Sequence, residues 1–304
     1  MKFSVYQTSR QGGRKYNQDR AAYAYSREAL LMVVADGMGG HFHGEVAAQI
    51  AVQLISEMFR NQAQPLLKDP HAFLKAAMHQ AHEAIYHYAR ENKLPDFPRT
   101  TCVACVIQKN TAWWAHVGDS RLYLFRRGKL VARTRDHSRV QQLFDSGRIS
   151  EAQMNTHPER NKIYNCLGGK IPPEVELSPR SPLKDGDILL LCTDGLWGML
   201  SVNELGSILD AYPINRAVDE LLDHAELRAG EGGDNLSAVG VMWGDPGKSG
   251  EQPLSTAVMP LNQVTTRLDA FNASRKADEA LQITDDDIEK AIQEIQAAIK
   301  KYSK

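Results

Sequence analysis

No apolar run in this chain is longer than Ala29–Ala35, ALLMVVA. A run of that length suits a buried strand and is far too short to cross a bilayer. Similar short runs recur at Phe3–Tyr6, Ala21–Tyr25, Leu30–Ala35, Thr101–Ile107, Ala112–Val117, Leu122–Phe125, Ile188–Cys192 and Leu236–Met242. Turn segments such as Arg127-Gly128-Lys129 and Asp185-Gly186-Asp187 punctuate them. Two helical patterns interrupt the series. Ala47, Ala51, Leu54 and Met58 share one face, and Phe73, Ala77, Ala81, Ala84 and Tyr88 share another. Further helices are expected around Val202–Leu209 and Asn215–Arg228. Helices do not follow each strand, so the pattern predicts antiparallel sheets covered by helices, an α+β fold, over a doubly wound parallel sheet.

The 304 residues carry a formal net charge of -1. That excludes a broad basic footprint, so neither nucleic acid nor a membrane surface is expected as a partner. Four cysteines make no disulfide framework. Cys102 and Cys105 are three apart on a strand and therefore face opposite sides, as small buried hydrophobes rather than zinc ligands. The opening MKFSVYQTSRQGG lacks the apolar core of a signal peptide. The expectation is a soluble, cytoplasmic protein.

The character of the chain changes after Gly244, which predicts a folded domain over 1–244 and a linker-like segment over 245–283. An amphipathic helix is expected over 284–304, with Thr284 as N-cap and Ile288, Ile292, Ile295 and Ile299 in a stripe. That helix is expected either to pack on the core or to dock a partner.

Five aspartates each sit beside turn residues at a strand edge: Asp19, Asp36, Asp119, Asp194 and Asp234. Taken singly, an Asp-Gly pair is an ordinary turn signal. Carboxylates that converge just past buried strands repel one another unless a cation neutralises them. Such hard oxygen donors suit Mg²⁺ or Mn²⁺ rather than a thiolate-rich zinc site. Gly37 has no side chain to keep its carbonyl from a metal.

The ordered set resembles the PPM family, the metal-dependent (type 2C) serine/threonine protein phosphatases. It comprises Arg14 followed by Asp19, then DGMGG from Asp36, Thr100-Thr101, GDSR at 118–121, Asp136-His137-Ser138, TDGLW at 193–197 and GGDNLS at 232–237. The short DGMGG form is similar to that of bacterial members. The resemblance spans about Ser4 to Met242 and implies a four-layer αββα sandwich. It implies hydrolysis of phosphoserine and phosphothreonine by a metal-activated water, on phosphorylated protein substrates and in opposition to a Ser/Thr kinase. By the same carry-over Asp36 bridges two ions, Mn²⁺ or Mg²⁺, and the Gly37 carbonyl binds the first. Asp194 and Asp234 hold the second, and Asp119 with Asp194 matches a weaker third site. Asp19 resembles the residue that orients the water, and Arg14 the guanidinium that grips phosphate. The segment from Val140 to Gly169 resembles the family's flap.

Two positions depart from the common pattern. Gln18 stands where many members have Glu, and Met38 where animal members carry a His proposed as general acid. A phosphoprotein-binding scaffold with weak turnover, and a phosphatase for a small phosphorylated molecule, are the alternative readings. His41 and His43 are expected to be exposed or capping residues and His137 a structural loop residue. Thr100-Thr101 is expected either to pack under the metal site or to start a strand.

Overall fold

The computed structural model describes residues 1–38, 43–154, 156–244, 254–256 and 265–267. Along the chain lie β1 (Lys2–Arg10), β2 (Asp19–Tyr25), β3 (Ala29–Met38), α1 (Gly44–Gln62), α2 (Pro70–Glu91), β4 (Arg99–Thr100) and β5 (Cys102–Gln108). Then come β6 (Thr111–Val117), β7 (Arg121–Arg126), β8 (Lys129–Arg133), α3 (Arg139–Asp145), α4 (Glu151–Met154), β9 (Glu176–Leu177) and β10 (Ser181–Pro182). The series ends with β11 (Ile188–Cys192), α5 (Asp194–Trp197), α6 (Val202–Ala211), α7 (Ile214–Ala229), β12 (Leu236–Trp243), β13 (Leu254–Ser255) and β14 (Thr265–Arg267).

The strands form two antiparallel sheets. One runs β13-β1-β12-β11-β7-β8 and the other β10-β6-β5-β3-β2-β14. The β3 run shows why its sequence is continuously apolar. Leu30, Met32 and Val34 enter the core between the sheets, while Leu31, Val33 and Ala35 pack under α1 and α2. Both faces of the sheet are covered, so the period-two alternation vanishes. Residues Leu190, Cys192, Leu205, Leu209, Leu221 and Leu222 make a third cluster, joining α6 and α7 to the other sheet. The result is the four-layer α-β-β-α sandwich. Cys102 lies in the helix-side cluster and Cys105 between the sheets, as strand geometry requires.

Local signals fix the helix starts. Asp69 caps α2 by accepting from the N–H groups of His71 and Ala72, with Pro70 next. Ser201 and Glu204 form a capping box on α6. His43 occupies the N-cap position of α1, but its backbone is left-handed (φ 106°) and its side chain makes no cap bond. The side-chain capping role therefore does not hold for His43, and His41 lies outside the described residues.

The expected linker needs correction at two points. Lys2 and Phe3 of β1 pair with Leu254 and Ser255 of β13. Residues Tyr23–Tyr25 of β2 pair with Thr265–Arg267 of β14. The tail thus extends both sheets at their β1 and β2 edges, giving those edges backbone partners. Thr256 is buried there, donating to the Arg27 carbonyl at 2.6 Å, while its N–H reaches the Met1 carbonyl at 3.0 Å. Composition announced a linker because a two- or three-residue edge strand is too short to show a period. The Ile-striped segment 284–304 lies outside the described residues.

Candidate active site

The aspartates converge through strand register. Asp19 opens β2 and stands opposite Asp36 near the end of β3. Asp194 follows β11 at the start of α5, and Asp234 precedes β12, the neighbour of β11. Asp119 lies in the turn between β6 and β7. Asp19 and Asp119 are buried, at 1% and 4% exposure, whereas Asp36, Asp194 and Asp234 are half-buried.

Thr100 ends β4 and Thr101 stands between β4 and β5, so neither starts a strand, and both brace the backbone of Asp36. Thr101 Oγ1 accepts from the Asp36 N–H at 3.2 Å, and Thr100 Oγ1 donates to the Asp36 carbonyl at 2.8 Å. Thr101 also shares a 2.7 Å hydroxyl hydrogen bond with Ser120, linking the Asp36 and GDSR turns. Thr193 Oγ1 donates to Asp19 Oδ2 at 2.8 Å and accepts from the Ser237 N–H at 3.0 Å.

Arg14 is held by Asp234. Its Nε and Nη2 donate to the two carboxylate oxygens at 2.8 and 2.6 Å, across 220 positions of sequence. Gly12 and Gly13 permit this by lying where a Cβ would strike the backbone of Asp234 and Glu231. Asn235 completes the join. Its amide nitrogen donates to the carbonyls of Gln11 and Tyr16, and its oxygen accepts from the Gln18 N–H at 2.9 Å. The sequence held Asn235 within GGDNLS but gave it no task. Gln18 directs its amide nitrogen at Glu45 Oε2, 3.3 Å away. Glu45, in the first turn of α1, thus brings a carboxylate beside the position where the common acidic residue is missing. Its one sequence signal was an acid at a helix start. Met38 is half-buried and lies opposite Arg99.

Electrostatically this is a cluster short of positive charge. Burial, and then Asp194 and Asp234, push the Asp19 carboxyl up to about 7, against the hydrogen bonds of Thr193 and Ser237. Burial and the neighbouring Asp234 push Asp194 up to about 6. Asp36 is raised well above the usual carboxylate range by burial and then by Asp19, Asp194, Asp119 and Asp234. Asp119 is raised likewise, by burial and then Asp194 and Asp136. Two oxygens, Asp19 Oδ1 and Asp119 Oδ1, are buried without a hydrogen-bond partner. Unpartnered buried carboxylate oxygen is costly, and hard divalent cations are the species this donor set fits. Asp36, Asp194, Asp234, Asp119 and the Gly37 carbonyl are the groups that could hold them.

Arg121, Asp136 and Trp197, also within the recurring motifs, build structure instead. Arg121 pairs with Asp136 at 2.8 and 2.7 Å and lies 3.5 Å from the centroid of the Trp197 ring. Trp197 Nε1 donates to the Asp119 carbonyl at 3.0 Å.

The chain is similar to known proteins over most of its length. The family described as protein phosphatase 2C matches residues 6–232. A serine/threonine phosphatase stp of Listeria welshimeri is 31% identical over 237 residues, which is 77% of this chain and 93% of that relative. The structure of the S. agalactiae serine/threonine phosphatase aligns with a TM-score of 0.72 at 27% identity, covering 79% of this chain and 99% of the other. The catalytic domain of the serine/threonine protein phosphatase PstP, solved in complex with two manganese ions, aligns with a TM-score of 0.67 at 30% identity, covering 79% and 98%. With the four-layer sandwich and the converged aspartates already in place, a match over that much of the chain settles its kinship: it belongs to the protein phosphatase 2C family.

Proposed function

We propose that this chain hydrolyses phosphoserine and phosphothreonine in proteins, with Mn²⁺ or Mg²⁺ held by Asp36, the Gly37 carbonyl, Asp194 and Asp234. The observation that carries the assignment is the convergence of five mutually repelling aspartates, two of which, Asp19 and Asp119, each keep a buried oxygen without a partner. Bound divalent ions supply charge stabilisation to the transferring phosphoryl and acidify a water. Asp119 together with Asp194 forms a weaker third site. Asp19, with Oδ2 fixed by Thr193, keeps Oδ1 free to orient the attacking water. Arg14 exchanges Asp234 for substrate phosphate, a bidentate task suited to a guanidinium. Residues 1–244 form the catalytic unit, and the 140–169 segment is the flap beside it. The four free cysteines, three of them buried, fit work in the reducing cytoplasm, and a phosphoserine or phosphothreonine substrate implies a Ser/Thr kinase as its source. Among the described residues no helix is long and apolar enough to cross a membrane.

Phosphate release from phosphothreonine, phosphoserine and phosphotyrosine peptides, with Mn²⁺, Mg²⁺ or chelator, tests the reading. Turnover of the first two, abolished by chelator, supports it. Binding without turnover identifies a scaffold, and turnover confined to small phosphorylated molecules moves the substrate class.

A further inference from the structure

His116 on β6, His137 just before α3 and Glu176 on β9 place ligand-capable atoms within 4.8 Å of one another. The spacing resembles a small metal site, but the hydrogen bonds commit these groups elsewhere. The Gly118 N–H points at His137 Nδ1, 3.2 Å away, and Asn165 Nδ2 lies 2.8 Å from the same atom. The Asn165 amide is fixed in that sense, because its nitrogen donates to the Glu174 carbonyl and its oxygen accepts from the Glu174 N–H. Two donors at Nδ1 leave the ring proton on Nε2, where it donates to Glu176 Oε2 at 3.2 Å. A metal on Nε2 would force the proton onto Nδ1, against a backbone N–H that cannot turn around.

We propose that His137 is a positioning residue that fastens both feet of the flap to the Gly118–Asp119 peptide, and so sets the Asp119 carboxylate for the weak third cation. The inference rests on the reading of Asp119 given above. His137 grips Gly118 from two sides: its N–H donates to the Gly118 carbonyl at 3.0 Å, and its Nδ1 accepts from the Gly118 N–H. Gly118 needs that grip, since its φ of 100° is open to glycine and a Cβ there would strike the Thr101 side chain. One flap foot leaves through Ser138 into α3. The other returns beside it, with Ser138 bridged to Ile163 and the Tyr164 N–H donating to the His137 carbonyl at 3.1 Å. The imidazole stacks on His116 at 4.6 Å, which holds the ring plane. The peptide before Asp119 is thus tied to the flap and its own carbonyl to Trp197, while the carboxylate keeps an unpartnered oxygen.

The test uses two amides of different reach. The Asn side-chain oxygen reaches the place of Nδ1, whereas the Gln amide reaches that of Nε2. His137→Gln is expected to weaken the weakest Mn²⁺ site about tenfold by calorimetry, the worth of one buried hydrogen bond. It should raise the Mn²⁺ needed for full kcat and leave the phosphopeptide KM in place. His137→Asn should stay within about threefold of wild type, since the acceptor is restored. Asp119→Asn is the parallel control: if it alters neither metal binding nor turnover, the reading of Asp119 has failed whatever His137 does. If Asp119→Asn loses the weak site and His137→Gln keeps it, the positioning role is overturned. Equal losses of melting temperature in both His137 variants, with Mn²⁺ affinities unmoved, also overturn it. On wild-type protein, ¹⁵N shifts should show His137 Nδ1 unprotonated and the ring unaffected by equimolar Zn²⁺. A proton on Nδ1, or zinc bound at Nε2, would refute the proposal without any variant.

Discussion

Asp136 and Asp119 are equally buried, at 4% exposure each, and stand on either side of Arg121 in sequence, yet they meet opposite surroundings. Asp136 receives two guanidinium hydrogen bonds from Arg121, which is itself stacked on Trp197 and bonded to the Tyr123 hydroxyl at 3.0 Å. Asp119 keeps an unpartnered oxygen, as does Asp19, and neither makes an ion pair among the described residues. Buried charge that the fold intends as structure is satisfied from within the chain. Buried charge left unsatisfied marks where something from outside is needed. Removing one carboxylate should therefore have opposite consequences in the two places.

The largest effect is expected at the open cluster. Asp36→Asn should lower turnover at least about a thousandfold, since several kcal/mol of transition-state charge stabilisation depend on the assembled ions. The same change should raise the melting temperature of metal-free protein at pH 8, because it removes one of several mutually repelling groups. A metal-free variant less stable than wild type would mean that Asp36 is satisfied from within the chain, as Asp136 is. At the paired site the sign reverses. Asp136→Ala strands a buried guanidinium and should cost about 3–5 kcal/mol in urea unfolding.

Arg14 stands between these extremes. Its side chain is 58% exposed and its pair with Asp234 is solvated, so folding should gain little from it. Arg14→Ala should instead raise KM for a phosphopeptide, a loss of about 1.5–3 kcal/mol in kcat/KM, or about 10- to 150-fold. An unchanged KM with weakened metal binding would mean that Arg14 serves Asp234 alone.

The pH dependence of metal-free protein sharpens the contrast further. Unfolded Asp titrates near 3.9, while folded Asp19 and Asp194 are raised to about 7 and about 6. Carboxyls raised on folding contribute stability that is fully present below about pH 4 and lost as pH climbs through the folded values. Urea midpoints in chelator should carry this falling component between about pH 4 and 7. Asp19→Asn should flatten it, and Mn²⁺ should restore stability at the upper end. The smallest effect is expected at the tail. Truncation to residues 1–244 removes β13 and β14 and should lower the melting temperature by about 2–4 °C. A cut after Arg267 should not, and both proteins should hydrolyse p-nitrophenyl phosphate at the full-length rate.

Much of this was legible beforehand where the signal was local. The eight expected strands are present, each within three or four residues at its ends, because a short apolar run between turns needs no distant information. The central α1 and α2 faces were legible from their repeat. Short edge strands such as β9, β13 and β14 were not, since each has only two or three residues and exists through its partner. In the site, the identities of the aspartates were readable, but Glu45 beside Gln18 was not: its sequence neighbourhood shows only a helix start.

The α+β class, the strands and the set of acidic side chains at their ends are written in the order of the residues. Strand pattern and residue chemistry are properties of neighbouring residues. Tertiary structure alone decided which acids are satisfied and which are left open. Arg121 reaches Asp136 across 15 positions, Arg14 reaches Asp234 across 220, and Asp19 faces Thr193 across 174. Burial, hydrogen-bond partners and the proton position on His137 all follow from such long-range meetings. They are set by sheet register and the packing of four layers, and no local pattern encodes them.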